Sequence, residues 1–240
     1  EKVWRGVHRL QVACEAVVVI MPIRKSEIKL DVNGKPVNAY LASPDGGGPG
    51  ALLLHAWWGL KPFFKETCDR LAEQGFTVLA PDLRDGQIAK TIEEAKALMG
   101  KSDGQLVGDT VMAAKDHLRG MVDGKIGVVG FSMGGAWALT VAAYKPEQIA
   151  AVVLFYGNEG IEYGKVTAKV MGHYSDNDEW EPNEYVENTF AEFKKAGVDA
   201  ALHIYPGVAH WFVESDRPEY DSAAAQLAWE RTFEFLRRSL

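Results

Sequence analysis

The stretch GKIGVVGFSMGGAWALTVAAYK, residues 124–145, constrains the fold more than any other part of the chain. Its apolar run KIGVVG reads as a buried strand, and MGGAWALTVAAYK reads as a helix stopped before Pro146. Between them stands Gly130-Phe131-Ser132-Met133-Gly134. A side chain two residues before or after the serine would collide with the turn or a neighbouring strand, and glycine removes the collision. Two readings follow. Either Ser132 merely caps a helix at a strand-to-helix turn, or its hydroxyl is pushed into a cleft.

The elements on either side extend this pattern. SEIKLDV and KPVNAYLAS alternate around Asn33-Gly34, which is a hairpin signal. SPDGGGPG is a loop, and ALLLHA is a short buried strand. FKETCDRLAEQG reads as a helix closed by Gly75, and FTVLAPD as the next strand. Helical patterns follow at TIEEAKALMG and QLVGDTVMAAKDHLRG. After residues 124–145 come strands at IAAVVLFYG and TAKVMGHYS, a helix at NEYVENTFAEFKKAG, a strand at DAALHIYPG and a long terminal helix. Strands and helices that alternate, with the strands apolar throughout, imply an α/β fold: a mostly parallel sheet with helices on both faces, opened by the antiparallel hairpin. No repeat or linker divides residues 21–240, which read as one domain. Residues 1–20, EKVWRGVHRLQVACEAVVVI, read as an upstream or appended extension: the apolar run carries Glu15 and lacks a small-x-small cleavage site.

Composition excludes some partners. The net charge is −7, and a nucleic-acid or anionic-membrane partner calls for a basic face. No uncharged apolar stretch reaches 18 residues, so no transmembrane helix is expected. The two cysteines, Cys14 and Cys68, belong to no CxxC or Cys/His cluster and are expected as free thiols in a reducing, cytoplasmic setting. No metal or cofactor is expected, and the chain is expected as a monomer or homodimer.

A serine hydroxyl attacks only when a base takes its proton. After a strand-turn-helix serine, the acid and then the histidine are expected at the C-terminal ends of later strands. Of the six histidines, only His210, in YPGVAHWF, follows a strand late enough. His203 lies within a strand, His173 precedes the candidate acid, His55 precedes the serine, His117 sits on a helix and His8 lies in the extension. SDNDEWEP offers Asp176, Asp178 and Glu179; Asp178, deeper in the loop and just ahead of Trp180, is preferred. The oxyanion donors would be the Met133 N–H and, from LLLHAWWGL, the Trp57 N–H, with Ala56 or Trp58 as neighbours able to serve instead.

LLLHAWWGL, GFTVLAPDL, GVVGFSMGG, GHYSDNDEWEP and YPGVAHWF occur in the order found in the dienelactone hydrolase family, which this chain resembles from Met21 to its C-terminus. The resemblance implies an α/β-hydrolase fold and hydrolysis of ester or lactone bonds through an acyl-enzyme without metal. It also places Asp178 at the family's triad aspartate. Three departures stand out. Ser132 replaces the family's cysteine nucleophile, and Ala56 stands where a glutamate attends the resting thiol. Where the family carries an arginine shortly after the histidine to grip a substrate carboxylate, this chain has Glu214, with Arg84 in PDLRDG at a shifted place. The expected pocket is therefore aromatic, drawn from Trp58, Trp180, Trp211, Phe212 and Arg84, and suited to a small neutral ester; Trp137 reads as core. Lactonase or thioesterase chemistry on the same residues, or a non-catalytic binding protein of this fold, are the alternatives.

Overall fold

The computed structural model describes residues 22–240, so the extension 1–20, Cys14 and Met21 lie outside the described residues. The strands are β1 (Ile23–Val32), β2 (Lys35–Pro44), β3 (Gly50–Leu54), β4 (Thr77–Pro81), β5 (Ile126–Phe131), β6 (Ile149–Phe155), β7 (Lys169–Ser175) and β8 (Ala200–Tyr205). The helices are α1 (Pro62–Glu73), α2 (Ile92–Gly100), α3 (Gly104–Arg119), α4 (Met133–Tyr144), α5 (Asn183–Lys195) and α6 (Ser222–Ser239).

One eight-stranded sheet has the order β1-β2-β4-β3-β5-β6-β7-β8. β1 and β2 form the hairpin, and β2 meets β4 antiparallel; every later pairing is parallel. Asn33 and Gly34 turn the hairpin with φ of 53° and 79°, both left-handed, as a type I′ turn requires. β3, β4 and β5 are buried along their whole length, which is why they are apolar without alternation.

Register shows where the helices lie. Ala51 of β3 pairs with Gly127 of β5, so these two face one side and Gly50 faces the other. A Cβ on Gly127 would touch Leu236 of α6, whereas one on Gly50 would touch Leu118 of α3. The Arg70 guanidinium of α1 lies over Trp229 of α6, placing α1 beside α6. Gly108 of α3 abuts Trp137 of α4 on the opposite side. Both sheet faces are therefore covered. Trp137 packs only at the margin of the core, half-buried beside Gly108, because α3 leaves its rim open to solvent there. Among the described residues, no helix is long and apolar enough to cross a membrane, and Cys68 is a buried free thiol.

Candidate active site

Ser132 follows the end of β5 and opens α4 with φ 49° and ψ −115°, a conformation that L-residues rarely adopt. The flanking glycines make it possible. A Cβ on Gly130 would lie 2.3 Å from the Gly134 carbonyl oxygen, and one on Gly134 would lie 2.0 Å from that of Leu54. Gly157, just beyond β6, is equally restricted: its Cβ would lie 2.1 Å from the Ser132 carbonyl oxygen. The Ser132 N–H donates to the Phe155 carbonyl at 2.9 Å, fixing the turn to β6. The hydroxyl does not cap α4. It points instead at His210, with Oγ 3.0 Å from Nε2.

His210 lies in the loop after β8, and its side chain is 4% exposed. Its Nδ1 sits 2.9 and 2.8 Å from the two Asp178 carboxylate oxygens. A carboxylate only accepts, so Nδ1 carries the proton and Nε2 is free to accept from Ser132. Asp178, in the loop after β7, also accepts the Trp180 and Glu181 N–H groups at 2.9 Å and the Ser175 hydroxyl at 3.1 Å. Burial works to raise the Asp178 carboxyl. The bond from His210 and the two amides outweigh it and hold the group below its ordinary range. Asp176 points away and accepts the Gly207 N–H at 2.7 Å. The structure thus brings Ser132, His210 and Asp178 together and leaves Asp176 outside.

Met133 is the first residue of α4, and Trp57 lies in the loop between β3 and α1. Among the described residues, neither the Met133 nor the Trp57 N–H has a hydrogen-bond acceptor. Met133 directly follows the serine, and the positive end of α4 adds to the field there.

The aromatic residues divide into two groups. Trp57 and Trp180 are half-buried and meet edge to face at 5.1 Å, joining the loop after β3 to the loop after β7. Trp58, Trp211 and Phe212 were expected in the pocket, but they are at most 2% exposed. Trp58 and Trp211 pack edge to face at 5.1 Å behind the first pair, with Arg217 over both rings. Phe212 lies between Tyr156 and Tyr205. All three belong to the buried core cluster, Trp211 with a left-handed φ of 28°. Arg84 is also buried. Its guanidinium sits behind Met133, with Nη2 2.7 Å from the Met133 sulfur and against that of Met99. It lines a separate cavity of about 390 Å³ between the β1–β2 hairpin and α2–α3. A cavity of about 550 Å³ between α1 and α6 holds none of the site residues.

Three residues near the site had no expected role. Tyr156, beyond β6, stacks obliquely on His210 at 4.7 Å and donates its hydroxyl to Glu214 at 2.9 Å. Lys61 reaches Glu214 from the start of α1. The φ of 41° at Tyr156 has no sequence signature, because the residue is not glycine.

The profile of the Dienelactone hydrolase family matches residues 37–240. The chain belongs to the dienelactone hydrolase family. It is 34% identical over 226 residues to "Protein usf" of Aquifex pyrophilus, covering 89% of this chain and 98% of that one. The fold is similar to that of a dienelactone hydrolase from Anabaena variabilis, with TM-score 0.64, 24% identity and coverage of 90% of this chain and 99% of that one. It also resembles a dienelactone hydrolase-like promiscuous phosphotriesterase from metagenomic libraries, with TM-score 0.78, 22% identity and coverage of 90% and 98%. Within this family of hydrolases, the chain carries serine at the elbow, glutamate at position 214 and a buried arginine at position 84.

Proposed function

We propose that this member of the family is a serine esterase that cleaves small carboxylic esters through an acyl-enzyme. The observation that supports it is the unbroken hydrogen-bonded line from Ser132 Oγ to His210 Nε2 and from His210 Nδ1 to Asp178. Ser132 Oγ attacks the ester carbonyl carbon as its proton passes to Nε2. The carbonyl oxygen becomes an oxyanion held by the Met133 and Trp57 N–H groups. The tetrahedral adduct collapses, the alcohol leaves with the proton from His210, and an acyl-Ser132 ester remains. Water then gives its proton to His210 and attacks that ester. The second adduct releases the acid and returns the proton to Ser132. Asp178 holds the imidazole tautomer throughout and stabilises the imidazolium.

The half-buried Trp57 and Trp180 favour an aryl or short-acyl substrate, since their rings offer apolar area. A fluorophosphonate probe tests the reading. A mass increase confined to Ser132, together with p-nitrophenyl acetate turnover, is the expected result; an unlabelled Ser132 overturns it and favours a binding role.

A further inference from the structure

Lys61 and Glu214 meet where little polar chemistry is expected. The Lys61 and Glu214 side chains are 6% and 0% exposed, and Lys61 Nζ lies 2.7 Å from Glu214 Oε2. Nζ lies 2.7 Å from Asp216 as well, and 5.6–5.7 Å from the ring centroids of Trp58, Phe63 and Phe64. The other Glu214 oxygen accepts the Tyr156 hydroxyl at 2.9 Å, and Tyr156 is fully buried. Two charges removed from water in this way contribute little net stability, because desolvation offsets their attraction. Apolar residues of the same volume would pack as well. A buried pair of this kind suits registration better than stability.

The places that it joins give that registration a meaning. Lys61 ends the loop that carries Trp57, and its N–H donates to the Gly59 carbonyl at 2.8 Å. Glu214 stands four residues after His210, in a turn where its N–H donates to the Trp211 carbonyl at 2.9 Å. Tyr156 follows β6 next to Gly157, which abuts the Ser132 carbonyl, and its ring lies 4.7 Å from that of His210. Displacing any of these segments would shift an oxyanion donor or the base relative to Ser132.

We propose that Lys61, Glu214 and Tyr156 form a buried brace that locks the oxyanion loop and the histidine loop in register, as positioning residues for the reaction. The inference rests on the proposed roles of Ser132, His210 and Trp57. A brace acts on the reacting geometry rather than on substrate contact. Its loss therefore lowers kcat while KM holds, and a misplacement of about 1 Å costs on the order of 10–100-fold.

The experiment compares the wild type, Tyr156→Phe, Lys61→Met and the double variant Lys61→Met/Glu214→Gln. Each is assayed for thermal unfolding, fluorophosphonate labelling rate and p-nitrophenyl acetate kinetics. Lys61→Met leaves Glu214 without its counter-charge and is expected to lower Tm. The double variant removes both charges and is expected to recover most of that Tm. Its kcat and labelling rate stay at least about tenfold below wild type, with KM within about twofold. Tyr156→Phe keeps the ring on His210 and loses only the hydroxyl, so it folds and reads the brace separately, with a smaller fall in kcat. Recovery of kcat along with Tm in the double variant, with wild-type kcat in Tyr156→Phe, overturns the brace while leaving the esterase reading intact. An unlabelled wild type overturns both.

Discussion

His210 Nε2 lies 3.0 Å from Ser132 Oγ, and on its other side the same ring faces both oxygens of Asp178. That alignment fixes the tautomer before any substrate arrives. The Asp178 carboxylate is itself saturated by two backbone amides and the Ser175 hydroxyl, so it has little freedom to swing away.

Asp178→Asn keeps the shape but supplies an amide that can favour the wrong histidine tautomer. Its kcat is expected to fall by on the order of 10⁴-fold, as for other triads. Asp176→Asn is the control. Its side chain only accepts the Gly207 N–H, and turnover is expected within about threefold of wild type. Steady-state kinetics on both variants, with circular dichroism to confirm folding, check the assignment of the acid.

The elbow glycines make a second test. Gly157→Ala and Gly134→Ala each put a methyl group 2.0–2.1 Å from a backbone oxygen. Neither carbonyl can yield without moving a strand end or the serine. Each variant is expected to lose about 3 kcal/mol or more in urea unfolding, or to fail to fold. Gly46→Ala, with nothing near its Cβ, is expected to stay within about 0.5 kcal/mol.

Trp180→Ala removes one wall of the aromatic pair. For a phenyl ester, KM is expected to rise several-fold, up to about tenfold, since one aromatic contact contributes about 1 kcal/mol. The backbone N–H that Trp180 gives to Asp178 is untouched by this change, so kcat should fall less than KM rises. Trp137→Ala, in the groove beside α3, should leave KM unchanged. Parallel kinetics of the two variants separate pocket from fold.

Acid stability follows from two buried histidines. His55 donates from Nδ1 to the Ala56 carbonyl and accepts the Leu83 N–H at Nε2, so its ring is neutral. Burial pushes its pKa down to about 4. Burial, with Arg231 and His203 nearby, also holds His173 well below the usual range. In the unfolded chain both titrate near 6.5. The unfolded state therefore binds more protons once pH drops below that value. The stability from these neutral rings is complete above about pH 6.5 and is lost as pH falls below it, at up to about 1.4 kcal/mol per pH unit for each ring. Urea midpoints measured from pH 7 to 5 should fall, and His173→Gln should reduce the slope; a slope unchanged in that variant contradicts the account.

The sequence was enough to locate the elbow and order the site. Gly130, Gly134 and the apolar run before them are local signals, because steric exclusion at a turn acts on neighbours in the chain. Chain order placed His210 and a loop with Asp176, Asp178 and Glu179 after the serine, since parallel strands deliver their C-terminal ends to one edge of the sheet; the preference for Asp178 came from its depth in that loop and from the family resemblance. The aromatic assignments show the limit. Trp58, Trp211 and Phe212 lie next to site residues in sequence and were expected to line the pocket, yet they are core. Trp137 was expected as core and lies at a groove. Adjacency in sequence does not fix which way a loop side chain points.

The amino-acid order by itself determined the α/β architecture, the hairpin at Asn33-Gly34 and the placing of Ser132 and His210, since these follow from periodicity, turn chemistry and the sequence of strands; among the loop acids it gave a preference for Asp178, and the tertiary structure set that side chain against His210. Only the tertiary structure decided that Lys61, Glu214 and Tyr156 share one buried contact and that Trp57 meets Trp180. Lys61 and Glu214 lie on different loops, and a lone lysine or glutamate reads as a solvated surface charge until the chain folds around it. Their burial arises from long-range packing, which no local pattern encodes.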